Sequence, residues 1–109
     1  MSTDNNRLLL ELEKHRRDIN RDIINPHVPE LALTDLKPVL SMVAHARADY
    51  IKTLLSLADS GEGQTPALEA INELKRRRET YQELVDAVNA LESVISRDYL
   101  DVKSTRGES

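Results

Sequence analysis

The stretch TPALEAINELKRRRETYQELVDAVNALESVISRDY, Thr65 to Tyr99, decides the fold. It follows Asp59-Ser60-Gly61-Glu62-Gly63-Gln64, a polar run whose two glycines favour a turn. Thr65 stands where an N-cap belongs, and Pro66 stands at the first helical position, where its missing N–H costs nothing. No further Gly or Pro occurs before Gly107, so the pattern predicts one uninterrupted helix over 66–99. At 1.5 Å per residue such a helix is about 50 Å long. On a helical wheel Ala70, Leu74, Tyr81, Leu84, Val85, Val88, Ile95 and Tyr99 fall within about 60° of one line, with Ile71 and Leu91 beside them. The helix therefore carries an apolar seam along its length.

Working outward, residues 5–24 predict a first helix. Leu8, Leu12, His15, Ile19 and Ile23 recur at steps of three and four and form a narrow stripe suited to docking one face. Glu13–Arg17 and Lys14–Asp18 have i,i+4 spacing on its flanks. Asn25-Pro26-His27-Val28-Pro29 ends this helix, because residues before proline avoid the α region. Leu31 and Leu33 are expected to anchor the connection. A second helix is predicted over 35–59 with Thr34 as cap, although Pro38 would remove one backbone bond there and allows a start at Pro38 itself. Its apolar arc is wide. Leu36, Val39, Val43, Ala46, Tyr50, Leu54 and Leu57 form one edge, and Ala44, Ile51, Leu55 and Ala58 extend it, which places neighbours on two sides. The expected fold is all-α: an up-down-up three-helix arrangement over 1–100 with a long third helix, followed by a polar, disordered tail over 101–109.

Composition narrows the function. With 109 residues the chain is one domain, small enough for oligomerisation to help it. Three Tyr and no Phe or Trp give a core of aliphatic side chains and little to stack on nucleobases. The absence of cysteine removes disulfides, thiolate catalysis and zinc–cysteine sites. A net charge of −4, with acidic and basic residues mixed along every helix, lacks the one-sided field that phosphate backbones select. The first residues carry no signal pattern and no apolar run is long enough to cross a bilayer, so a cytoplasmic protein with no membrane contact is expected.

Chemical motifs are weak. Lys75-Arg76-Arg77-Arg78 could face nucleic acid, yet Glu73–Arg77 and Lys75–Glu79 spacing and the four directions of consecutive helical positions favour a solvated face. His15, His27 and His45 share no helical spacing; His45 with Asp49 could supply two metal ligands but no third. A di-iron bundle needs Glu-x-x-His, which is absent. Glu83-Leu84-Val85-Asp86 resembles half of the magnesium-binding pattern of the all-helical nucleotide pyrophosphatases, and its Glu-x-x-Glu partner is missing. No catalytic, cofactor or metal residues are therefore assigned. A nucleic-acid-associated regulator using residues 75–78 is the first alternative, and a metal-dependent helical-bundle enzyme the second.

Two charges interrupt the seam of the third helix, Arg77 and Glu92, and an unpaired charge there would be costly. Arg47 on the second helix is one candidate partner inside the chain. Reflection about the midpoint of Leu84 and Val85 offers another, since it sets Arg77 against Glu92, Leu74 against Ile95, Tyr81 against Val88 and Ala70 against Tyr99. An antiparallel homodimer would then use Leu74, Arg77, Tyr81, Leu84, Val85, Val88, Glu92, Ile95 and Tyr99. Because the third helix is predicted to outreach the others, Ile95, Tyr99, Leu100 and Val102 are expected on an uncovered overhang. In size and helix content the chain is similar to small helical chaperones and adaptors, an analogy of fold that carries little about function. The expected function is a non-enzymatic protein–protein interaction module, an adaptor, assembly factor or regulator, binding a second copy or another protein.

Overall fold

The computed structural model describes residues 2–28 and 30–103. It is all-helical, with three long helices in chain order: α1 (Ser2–Ile24), α2 (Leu33–Ser60) and α3 (Leu68–Ser96). A 3-10 turn, Asn25–His27, follows α1 at Pro26, where the proline ends the α-helix as its chemistry requires. Contacts divide the chain into two units. One holds the residues up to Asp35 and those from Ala90 onward, and the other is Leu36–Asn89.

In the Leu36–Asn89 unit α2 and α3 pack against each other. Val39, Val43, Ala46, Tyr50 and Leu57 of α2 and Leu74, Tyr81, Leu84, Val85 and Val88 of α3 are the half-buried or buried edges of the pair. Between the helices Gly63 N–H donates to Ala58 C=O at 3.1 Å and Glu62 N–H to Asp59 C=O at 3.3 Å. These two bonds close α2 with a Schellman motif that requires Glu62 in the left-handed region, at φ +50°. Gln64 N–H then bonds Gly61 C=O at 2.9 Å, and the first helical bond of α3 runs from Ile71 N–H to Ala67 C=O. The helix thus starts two residues after the expected Thr65 cap and Pro66, because the turn uses Gly61 to Gln64 and leaves 65–67 as its exit.

The start of α2 also differs from expectation. Ala32 N–H donates to Asp35 Oδ2 at 2.9 Å while Asp35 N–H donates to Ala32 C=O at 2.9 Å. That is the return half of a capping box, so Ala32 is the cap and Thr34 lies inside the first turn. Pro38 sits within the helix at the cost of one backbone bond. Leu31 is half-buried as expected of an anchor, but Leu33 is exposed and the neighbouring buried residue is Ala32.

In the other unit the end of α3 overturns the predicted overhang. The helix stops at Ser96, and Asp98 takes φ +61°. Asp98 N–H bonds Ile95 C=O at 3.1 Å and Tyr99 N–H bonds Val94 C=O at 3.0 Å, a second Schellman closure built without glycine. Tyr99 is therefore not on the helix. It is 7 % exposed and Leu100 only 2 %, among the most buried side chains described. The chain then pairs with the connection after α1: Leu31 N–H donates to Asp101 C=O at 3.1 Å and Lys103 N–H to Leu31 C=O at 2.6 Å, an isolated parallel bridge between Leu31 and Val102. Residues 101–103 of the expected tail are thus placed, and 104–109 lie outside the described residues. Because α2 has 28 residues and α3 has 29, the length mismatch behind the overhang disappears.

Glu62 holds a backbone conformation that glycine adopts without a Cβ penalty. Glu62→Gly should stabilise the helical pair by about 1 kcal/mol, raising Tm by roughly 4–8 °C in a domain of this size. Thermal unfolding followed by circular dichroism checks this, and an unchanged or lowered Tm contradicts the turn geometry.

Candidate interaction surfaces

The way α1 is held determines what it leaves exposed. Arg21 Nη1 donates to Asp98 C=O at 2.9 Å and to Asp98 Oδ1 at 3.2 Å, while Nη2 donates to Asp101 Oδ1. Asn25 Oδ1 accepts from Asp101 N–H at 2.9 Å. A guanidinium on the Asp98 carbonyl, two residues past the end of α3, meets two carboxylates beside the negative end of the helix dipole. Nearby, Leu10, Glu13, Lys14 and Arg17 line a shallow groove with Ser96, Arg97 and Asp98.

On the α1 wheel Arg17 and Arg21 lie about 160° from the middle of the Leu8–Ile23 stripe. The helix is therefore anchored by its polar flank, and its apolar stripe points away from that contact. None of its residues is buried, with Leu8 at 64 % and Ile23 at 61 % exposure and Leu12 and Ile19 also exposed. This reverses the expectation that the stripe docks α1. The flanking pairs change too, since Glu13 bonds Arg16 three residues on and not Arg17. The signal missed in the sequence was Asp98: aspartate is one of the few residues that tolerate the left-handed region, and it marks the helix end where an arginine would be drawn.

α2 leaves a second apolar surface. Its half-buried edge faces α3, whereas Leu40, Ile51, Leu54 and Leu55 are exposed, Leu55 at 63 %. The wide arc read from the sequence is real, but within its unit α2 has a neighbour on one side only.

The residues expected to pair two copies of α3 are placed as follows. Leu74, Tyr81, Leu84, Val85 and Val88 are half-buried in the Leu36–Asn89 unit, Ile95 is half-buried in the other, Glu92 is exposed, and Tyr99 is buried beyond the helix. Arg77 Nε pairs with Glu73 Oε1 at 3.0 Å within α3, which gives it a partner that needs no second chain. Arg47 does not await a carboxylate. Its Nε donates to the Tyr81 hydroxyl at 3.1 Å, its guanidinium lies 5.3 Å from the Tyr81 ring centroid, and Tyr50 stands 6.1 Å from that ring.

The basic run is largely neutralised locally. Glu73 accepts from both Arg76 and Arg77, and Lys75 lies 3.8 Å from Glu79. The hydrogen bond from Arg76, with the charges of Arg76 and Arg77, holds the Glu73 carboxyl below its ordinary value. Asp86 accepts from Gln82 Nε2 at 3.0 Å. Among the described residues no three His, Asp or Glu side chains gather as a metal-holding group, and no helix is long and apolar enough to cross a membrane. No family model matches the chain, and neither does any curated protein or solved structure.

Two tests follow from these geometries. Arg21→Ala should lower stability by about 1 kcal/mol, an exposed-pair magnitude modestly raised by the two-carboxylate geometry. It should also speed hydrogen exchange at Leu31, Tyr99 and Lys103, and unchanged exchange there rejects Arg21 as the anchor. For Glu73, a lowered carboxyl pKa means stability that is present above the unfolded value and lost as pH falls through the folded one. The Tm difference between wild type and Glu73→Gln should thus be constant near neutrality and close below about pH 4.

Proposed function

We propose that this chain is a non-enzymatic protein-binding module, an adaptor, assembly factor or regulator, whose binding surface is the apolar stripe of α1. The observation that carries the reading is the inverted mounting of that helix: Arg21 fixes its polar side while Leu8, Leu12, Ile19 and Ile23 face outward. Exposed apolar side chains aligned on one face of a helix are the signature of helix-in-groove recognition. The α3 seam is the weaker candidate, since most of its apolar side chains are already half-buried beside α2.

Magnitudes set what the partner must supply. Fully burying an exposed Leu or Ile contributes about 1.5–3 kcal/mol, so four side chains already partly covered give roughly 3–6 kcal/mol. A micromolar complex needs about 8 kcal/mol net, so the stripe alone falls short and the partner must add further contacts.

Leu12→Asp with Ile19→Asp tests the reading, because both positions are exposed and should tolerate charge without loss of helix content. In native extracts the wild-type chain should migrate as a complex above 12.3 kDa, and the double variant should shift to the free mass. A wild-type chain that migrates free, or a double variant that stays in the complex, rejects α1 as the binding surface.

A further inference from the structure

The charges beside the two exposed apolar faces identify what covers α1. Asp4, Glu11, Asp18 and Asp22 all lie on one side of the α1 stripe, about 60–100° from its middle. Among the described residues none of the four is in an ion pair. Along the exposed edge of α2 the arrangement is the complement. Lys37 and Lys52 lie about 40–100° from the middle of that edge, on the opposite rotational side, and are equally unpaired, while Asp59 shares their side only past Leu55, at the end of the helix. The faces also match in length: Leu8 to Ile23 and Leu40 to Leu55 each cover sixteen residues, whose fifteen rises make about 22 Å of helix.

We propose that α1 of one copy lies on the exposed α2 edge of a second copy, and the second copy's α1 on the first, forming a two-fold dimer. The proposal rests on α1 being the binding surface and names its partner. The flanks fix the direction. In parallel helices the low-angle side of one meets the high-angle side of the other, which brings the acidic flank of α1 to Lys37 and Lys52. An antiparallel α1–α1 pair would instead set the two acidic flanks against each other, so self-pairing of α1 is disfavoured. An offset of about 33 residues seats Leu8 and Leu12 beside Ala44, and Ile19 between Ile51 and Leu55, as knobs into holes. The exchange also supplies what the stripe lacked, because each copy buries two apolar faces and gains two charged flanks.

The purified 109-residue chain tests this. Light scattering at micromolar concentration should give twice 12.3 kDa, and a monomer overturns the proposal. Asp4→Lys with Asp18→Lys should raise the dimer dissociation constant by about tenfold or more, and adding Lys37→Glu with Lys52→Glu to the same chain should restore it. Absence of that rescue, with helix content unchanged, overturns the pairing. The chain has no native cysteine, so Leu12→Cys in one tagged copy and Ala44→Cys in another should form a mixed disulfide between chains, and no inter-chain product overturns the register. A purified monomer whose complex in extracts still depends on Leu12 and Ile19 would reject self-association alone. A chain free in both settings would reject the α1 surface as well.

Discussion

The guanidinium of Arg21, held between Asp98 and Asp101, is the interaction on which the first unit depends. It joins the end of α1 to the end of α3, and Asn25 and the Leu31–Val102 bridge close the same junction. Tyr99 and Leu100 are buried in this unit, so the polar clasp and the small apolar centre belong to one another. Each ion pair is worth little by itself, since Arg21 is a third exposed and its partners more so. Their effect is orientational. Once Arg21 and Arg17 face the 96–101 segment, helical geometry turns the stripe almost half a turn away.

The Leu36–Asn89 unit has a different constraint, which is that two helices cannot enclose a core. Only Ala46 is buried there, and the apolar edges of α2 and α3 remain half-covered. The cluster of Arg47, Tyr50 and Tyr81 substitutes for aliphatic packing, with the phenol both accepting from the guanidinium and offering its ring face. Among the described residues just four are buried, which leaves hydrophobic stabilisation low for a chain of this size and makes covering the exposed edges energetically rewarding. Binding and folding stability are on that account coupled: whatever buries α1 and the free edge of α2 also stabilises the helices that present them.

Local charge pairing and long-range charge pairing have separate roles. Along α3 the carboxylates of Glu73 and Glu79 take up Lys75, Arg76 and Arg77 within one turn, so the basic run presents little free field to a phosphate backbone. On α1 and α2, by contrast, Asp18, Asp22, Lys37 and Lys52 stand beside the exposed apolar faces without an ion-pair partner among the described residues. Charge that is spent locally stabilises a helix; charge left unpaired beside an apolar stripe stays available to select between partners.

Sequence periodicity by itself determined the all-helical class, the three helices and the width of the α2 arc, because a 3.6-residue repeat and the positions of Pro26, Gly61 and Gly63 act over a few residues. It also identified the Glu73–Arg77 and Lys75–Glu79 pairs, which are local. It placed both caps wrongly by two residues, since Ala32 and Ala67 have no side-chain signature and the deciding bonds come from Asp35 and the Gly61–Gln64 turn. What only the tertiary structure decided is which faces are covered. An apolar stripe on a wheel says that a helix wants a neighbour, not which side it is held by. That choice was made by Arg21 reaching 77 and 80 residues along the chain to Asp98 and Asp101, a long-range electrostatic contact that leaves no periodic trace. In the same unit Tyr99 and Leu100, which on sequence grounds belonged to an exposed end, are buried, while the stripe of α1 faces outward.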